Sequence, residues 1–268
     1  MRVYKIQSNG NDFCLIKHTN ILDYSTLAKK ICNRNFGVGG MGLIIVKENP
    51  LEFILFDANG KKVSINYDAL ACFSYFVFNQ GISRNSNIKI LTGIGNIELE
   101  IDSEIPFSCR LNLGLPNLKN TMLYVSDPLD CFGRILRINE SSITSNSVSF
   151  GQTHTVIIVD SFSSNSLELA KDIANYKIFA RGTTVDFVIV HDKRTIEVKT
   201  YDKNEGFIPF SGVGVVSAHY VVNKLKLAYS KVECKTNLGS VYIEQNRKQE
   251  ELLSFPAMEV FDCEFKGE

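Results

Sequence analysis

The chain has no excess charge of either sign: 29 lysines and arginines balance 29 aspartates and glutamates over 268 residues. No electrostatic argument therefore draws it to nucleic acid or to an anionic membrane. It also lacks any apolar run near the ~20 residues a membrane span needs. The opening Met1-Arg2-Val3-Tyr4-Lys5-Ile6 goes straight into an alternating strand pattern with no signal peptide, so a cytoplasmic protein is expected. Seven cysteines, an odd count at positions 14, 32, 72, 109, 131, 234 and 263, show no zinc-like spacing. They read as reduced thiols, with neither a disulfide framework nor a structural metal. A chain 44% hydrophobic and 22% charged can bury a core in each of two modest lobes.

Two lobes are what the sequence pattern indicates, because one paragraph of it occurs twice. Leu27-Ala28-Lys29 opens a helical stretch in the first half and Leu169-Ala170-Lys171 one in the second. The apolar runs Leu43-Ile44-Ile45-Val46 and Phe187-Val188-Ile189-Val190 follow. Next come Phe56-Asp57-Ala58-Asn59-Gly60 and Tyr201-Asp202-Lys203-Asn204-Glu205-Gly206. Asn66 stands nine residues after Asp57, and Ser211 nine after Asp202. An apolar helix and a hairpin then close each copy, the hairpins at Thr92-Gly93-Ile94-Gly95 and Thr236-Asn237-Leu238-Gly239. Strands dominate, with helices expected over about Ser25–Cys32, Tyr67–Asn79, Ser166–Asn175 and Gly212–Leu225. The polar stretch 141–147 reads as an exposed loop. The boundary is expected near Leu115-Pro116-Asn117, giving lobes 1–116 and 117–268, the last residues packing back on the first lobe.

Homologous lobes tend to pack about a pseudo-two-fold axis, with a small-molecule site in the cleft between them. Asn66 and Ser211 would then face one another, each where an extended segment becomes a helix. Free N–H groups and the helix dipole make such starts anion-binding nests. Ser211-Gly212-Val213-Gly214 is the better nest, since its glycines let a ligand approach the backbone. Tyr67-Asp68 adds bulk and negative charge. The expected ligand carries a carboxylate or phosphate.

These motifs resemble the diaminopimelate epimerases. Ser8-Asn9-Gly10-Asn11-Asp12-Phe13 is similar to their Gly-Asn-Asp-Phe opening. Arg34-Asn35-Phe36-Gly37-Val38-Gly39-Gly40-Met41-Gly42 resembles their Arg-x-Phe-Gly-Ile-Gly-x-Asp-Gly segment, with Met41 in place of the acid. Asp57-Ala58-Asn59-Gly60 stands for Asn-Ala-Asp-Gly, and Gly151-Gln152-Thr153-His154 for Gly-Asn-Pro-His. Tyr201-Asp202-Lys203 through Ser211-Gly212-Val213-Gly214 follows Tyr-Glu-Arg to Cys-Gly-Thr-Gly. The match runs in order along essentially the whole chain. It implies an α+β fold of two homologous lobes related by a pseudo-two-fold axis, each a mainly antiparallel curved sheet or barrel around a central helix. It also implies no cofactor, and it allows a homodimer, although no interface motif marks one.

The family's reaction uses one cysteine thiolate to remove an α-proton and a second thiol to reprotonate the opposite face. The resemblance puts those cysteines at Asn66 and Ser211. An amide does not titrate, and a serine hydroxyl without a neighbouring base is far from a useful pKa. The substrate-reading positions have changed as well: Asp57, Gln152 and Thr184 replace asparagines, and Gly42 has no side chain. Lys203 exchanges a bidentate fork for a point charge. Asn11, His154, Gly212 and Gly214 remain.

Asp68 either complements the helix dipole or is a displaced carboxylate base. His154 is either a base near neutral pH or a structural hydrogen-bond partner. Asp202 is a base, a grip on a substrate ammonium, or a solvated acid opening a turn. Ser211 is a nucleophile only with His154 or Asp202 in reach; otherwise it is an N-cap, as is Asn66. Cys72 reads as a packing thiol. The sequence therefore favours isomerase, tautomerase or cyclase chemistry on a small amino-acid-derived carboxylate in specialised metabolism. Asn11, Asp57, Gln152, Thr184, Lys203, Gly212, Val213 and Gly214 bind the substrate in this reading. A non-catalytic descendant with an apolar cleft (Met41, Phe207, Ile208, Pro209, Phe210) and an epimerase with substituted or inactivated bases are the alternatives.

Overall fold

The computed structural model describes residues 1–20, 23–119, 123–125, 131–163 and 165–266. The chain divides into two compact units, Met1–Leu111 with Ser254–Glu268, and Asn112–Leu253.

In the first unit β1 (Arg2–Ser8) and β2 (Asn11–Lys17) form a hairpin, followed by α1 (Tyr24–Ile31), β3 (Gly42–Glu48), β4 (Leu51–Asp57) and the short β5 (Lys62–Val63). Then come α2 (Tyr67–Asn79), β6 (Asn87–Thr92), β7 (Gly95–Glu104) and β8 (Phe107–Gly114). Most neighbours are antiparallel; β2 with β3 and β4 with β6 are parallel. The α2 sequence is apolar on every side, and such a helix can only be a core helix. Asp68 through Ser74, Phe76 and Val77 are buried in it, and it packs on β1, β2, β3 and β4.

The second unit repeats this order. After β9 (Arg134–Ile138) come β10 (Ser141–Ser149), β11 (Thr153–Ile158), α3 (Ser166–Ala174), β12 (Thr184–Asp192), β13 (Thr195–Asp202) and β14 (Gly206–Ile208). They are followed by α4 (Gly212–Lys224), β15 (Lys231–Thr236), β16 (Gly239–Gln245) and β17 (Glu251–Pro256). Again two pairs are parallel, β11 with β12 and β13 with β15. Helix α4 is buried from Gly214 to Val222 and packs on β10 through β13 and on β16. The last strand, β18 (Met258–Glu264), runs antiparallel to β1. The protein is thus α+β, with mostly antiparallel strands and few helices.

The two hairpins repeat to the level of single atoms. Thr92 Oγ1 donates to Gly95 O at 2.7 Å and Thr236 Oγ1 to Gly239 O at 2.8 Å. Both glycines hold positive φ, +108° and +119°, which a residue with a Cβ rarely adopts.

The polar stretch expected to be a loop is a strand, β10. It pairs with β9 on one side and β11 on the other, and its second half is buried because its polar groups have partners. Ser145 Oγ donates to Arg134 O at 3.0 Å, Asn146 Oδ1 accepts from Gly133 N at 2.9 Å, and Ser147 Oγ lies 3.0 Å from Thr155 Oγ1. A hydroxyl satisfied this way is cheap to bury.

The β1–β2 hairpin of the first unit is fixed by charge. Lys5 Nζ, nearly buried, lies 2.6 Å from Asp12 Oδ2 and donates to Gly39 O. The Arg34 guanidinium grips both oxygens of the same carboxylate at 3.0 and 2.6 Å.

Candidate functional site

In the second unit the site starts at α4. Ser211 is extended (φ −138°, ψ 112°), and its Oγ accepts from Gly214 N at 3.0 Å, so it is the N-cap of the helix. Neither His154 nor Asp202 is hydrogen-bonded to it among the described residues, and nothing activates it as a nucleophile. The amides of Gly212 and Val213, the first of the helix, have no intrahelical carbonyl to pair with.

Gly214 is glycine for a reason other than ligand approach. An added Cβ would lie 2.4 Å from Thr200 Oγ1 and 2.5 Å from Asp186 Oδ1. Thr200 and Asp186 fill the space beside Gly214 where a side chain would project.

Asp186, on β12, leads to the histidine. It is fully buried, accepts from Thr200 Oγ1 at 2.7 Å through Oδ1, and lies 2.7 Å from His154 Nδ1 through Oδ2. The parallel register places His154 opposite Thr184, so Asp186, two residues on, shares that face of the sheet. His154 is 1% exposed and its Nε2 is buried with no hydrogen-bond partner. Sequence reasoning missed Asp186 and Thr200; their one available sign was the strand period linking 184 to 186.

Gln152, Thr184, Asp202 and Lys203 do come together. They line one cavity of about 280 Å³ with Tyr124, Arg181 and Asn204. The Arg181 guanidinium stacks 3.9 Å from the Tyr124 ring centre, and Lys203 Nζ donates to Arg181 O at 2.5 Å. Asp202 Oδ1 caps its own turn, accepting from Asn204 N and Glu205 N at 2.8 and 3.3 Å. Two cations and one carboxylate therefore line this wall. Ser211, Gly212, Val213 and His154 lie outside it. Phe207 packs edge-on to Tyr201 at 5.4 Å and Phe210 is buried. These two rings serve the second unit's packing and add nothing apolar to the cavity.

In the first unit Asn66 is the N-cap of α2: Oδ1 accepts from Ala69 N at 2.9 Å. Asp68, in the first turn, is buried and accepts from Ser8 Oγ, Asn9 Nδ2 and Asn11 Nδ2 at 3.2, 2.9 and 2.9 Å. Burial pushes its carboxyl above the usual range, against the pull of those three bonds. Asp68 thus holds the β1–β2 turn, where Asn9 and Gly10 both take positive φ. Asn11 places one of its two amide hydrogens on Asp68. Asp57 Oδ1 accepts from Asn59 N and Lys61 N at 2.9 and 2.8 Å, a turn lock. Cys72 is completely buried, and burial pushes its thiol up, as suits packing and not nucleophilic work. Among the described residues no group of His, Cys, Asp and Glu could hold a metal ion, and no helix is long and apolar enough to cross a membrane.

The fold is that of epimerase-type α+β proteins. A methylitaconate-delta-isomerase structure superposes with a TM-score of 0.70 at 8% identity, over 98% of this chain and 95% of that one. A phenazine-biosynthesis protein from Bacillus anthracis does so with a TM-score of 0.65 at 11% identity, over 98% of each chain. In sequence the chain is related to the diaminopimelate epimerases along almost its whole length. The enzyme of Caldanaerobacter subterraneus is 29% identical over 280 aligned positions, covering 99% of this chain and 100% of its own. No protein-family model matches. The kinship is with isomerising enzymes.

Proposed function

We propose that the protein is a cofactor-independent isomerase acting on a small amino-acid-derived carboxylate, by single-base proton transfer in place of the relatives' two-thiol exchange. The observation that carries this is the fate of the two helix starts. Asn66 and Ser211 are both N-caps. An amide does not titrate, and neither His154 nor Asp202 is bonded to the serine hydroxyl among the described residues, so neither Asn66 nor Ser211 is the base, while the Gly212 and Val213 amides are left to hold an anion. The base must then lie elsewhere, and we assign it to His154. Its buried Nε2 has no hydrogen-bond partner among the described residues, and the residue follows the cavity-lining Thr153 and pairs across the sheet with the cavity-lining Thr184. Asp202 sits in the cavity wall with Oδ2 left to grip a substrate ammonium. Gln152, Thr184 and Lys203 line the same wall and complete the recognition surface. Dicarboxylic and amino-acid substrates fit a wall of mixed charge.

The recurrence of one element order, with the same hairpin atoms in both units, supports reading the chain as a duplicated ancestral lobe. A second function is favoured by one observation: Asn11 and Asp57 are tied up in the first unit's own turns. A protein that binds a ligand without turning it over needs no more than the α4 end and the cavity.

The experiment that separates them is α-proton exchange in D2O followed by NMR, on a panel of amino acids that includes diaminopimelate. Exchange on any member that His154→Ala abolishes without unfolding supports the isomerase. Full activity in both His154→Ala and Asp202→Asn would remove these two residues from the mechanism.

A further inference from the structure

We propose that Asp186 is the positioning residue of this site, holding His154 as its Nδ1–H tautomer so that Nε2 is an unprotonated acceptor. The inference rests on His154 being the base, and it names the residue that makes it one.

Within the second unit two buried histidines each face a buried carboxylate, and they differ in one respect. His219 Nδ1 lies 2.6 Å from Glu251 Oε2, and its Nε2 reaches Tyr229 O at 3.1 Å. Both of its nitrogens are spoken for, which makes it a structural histidine on α4. His154 has a similar carboxylate contact at Nδ1, 2.7 Å, but its buried Nε2 has no hydrogen-bond partner among the described residues. Native proteins leave few buried polar atoms unpartnered, and this one lies on the histidine beside the cavity-lining Thr153.

The chemistry at Nδ1 fixes what Nε2 is. Asp186 accepts from Thr200 through its other oxygen, and the first turn of α4 lies against that oxygen at Gly214. With Oδ1 accepting from Thr200, Asp186 meets the imidazole through Oδ2 as a second acceptor, and the hydrogen between the two residues is assigned to Nδ1. In a neutral imidazole the remaining nitrogen is then the acceptor. When Nε2 takes a proton from a substrate carbon, the C–H electron pair stays on that carbon beside its carboxylate, and the imidazolium rests against Asp186. The pair then moves through an adjoining double bond, and a proton from Nε2, exchanged with solvent or not, is delivered to the far carbon, which completes an isomerisation with no oxidant or reductant.

The test reads the tautomer directly by two-bond 15N–1H correlation NMR on histidine-labelled protein, with His154 assigned by its loss in His154→Gln. The wild type is expected to show His154 protonated on Nδ1 with a bare Nε2. In Asp186→Asn the Nε2–H form should become prominent, Asp186→Glu should restore the original, and Thr200→Val should give a mixture. Proton exchange on any responsive substrate should fall roughly 100-fold or more in Asp186→Asn and recover in part in Asp186→Glu. An Nε2–H tautomer in the wild type overturns the assignment by itself, even if Asp186→Asn does not fold. An unchanged tautomer in folded Asp186→Asn also overturns it. The expected tautomer combined with silence across the substrate panel would count against the isomerase reading and leave the assignment of Asp186 standing.

Discussion

Gly214 of α4 leaves the space that the Asp186 carboxylate occupies: a Cβ there would stand 2.5 Å from Asp186 Oδ1 and 2.4 Å from Thr200 Oγ1. Both contacts are closer than a Cβ tolerates, so the helix start and the histidine's partner are one packed unit.

Gly214→Ala should therefore push Asp186 and Thr200 apart or displace the first turn of α4. Overpacking of this kind costs about 1–3 kcal/mol, read as a lower denaturation midpoint. The His154 ring resonances should shift with it. Unchanged stability would mean the helix start has room the geometry does not indicate.

The two caps are expected to behave alike. Asn66→Ala and Ser211→Ala should each destabilise by roughly 1 kcal/mol, while Asn66→Ser should be close to neutral, since both side chains accept from the third amide. Chemical denaturation of the three variants checks this.

Placing thiols at both helix starts, as Asn66→Cys with Ser211→Cys, removes two caps and should cost roughly 1 kcal/mol for each. It should not produce diaminopimelate epimerisation, because Asn11 and Asp57 remain bound into their own turns. Appearance of that activity would identify the chain as a simply inactivated epimerase.

Two acids of the first unit should respond to pH in opposite directions. Burial alone would raise Asp12, but hydrogen bonds from Arg34 and Lys5 outweigh it and hold the carboxyl below its usual range. Its contribution is present above the ordinary carboxylate pKa and is lost as pH falls through the lowered one. Asp12→Asn, which leaves Lys5 buried without its counter-charge, should cost on the order of 3 kcal/mol at neutral pH. The gap to wild type should close on acidification.

Asp68 is shifted upward by burial, so its folded form binds a proton more readily than its unfolded form. That contribution is complete below the ordinary carboxylate pKa and is lost as pH rises through the raised one. Asp68→Asn turns one acceptor of the cluster into a donor and should cost about 1–3 kcal/mol. Here the gap to wild type should widen on acidification. Denaturation midpoints of both variants across the acid range decide the signs.

Much of this protein is written in neighbouring residues. The repeat, the four helices, the two Thr-x-x-Gly hairpins and the capped starts at Asn66 and Ser211 were all legible, because periodicity and capping are local properties of the chain. That Asn66 and Ser211, and not cysteines, stand at the two helix starts was legible too. What the sequence misread was the strand 141–149, whose serines look solvated until β9 and β11 supply their partners.

Only the tertiary structure decided the rest. His154 and Asp186 are 32 residues apart, and the parallel register of β11 on β12 is what puts them on one face. Asn11 bonds to Asp68 and Asp57 to its own turn, contacts that the residues adjacent in sequence do not specify. A side chain's partner depends on how strands are paired, and that pairing is settled by the core of each unit and not by the residues adjacent in sequence.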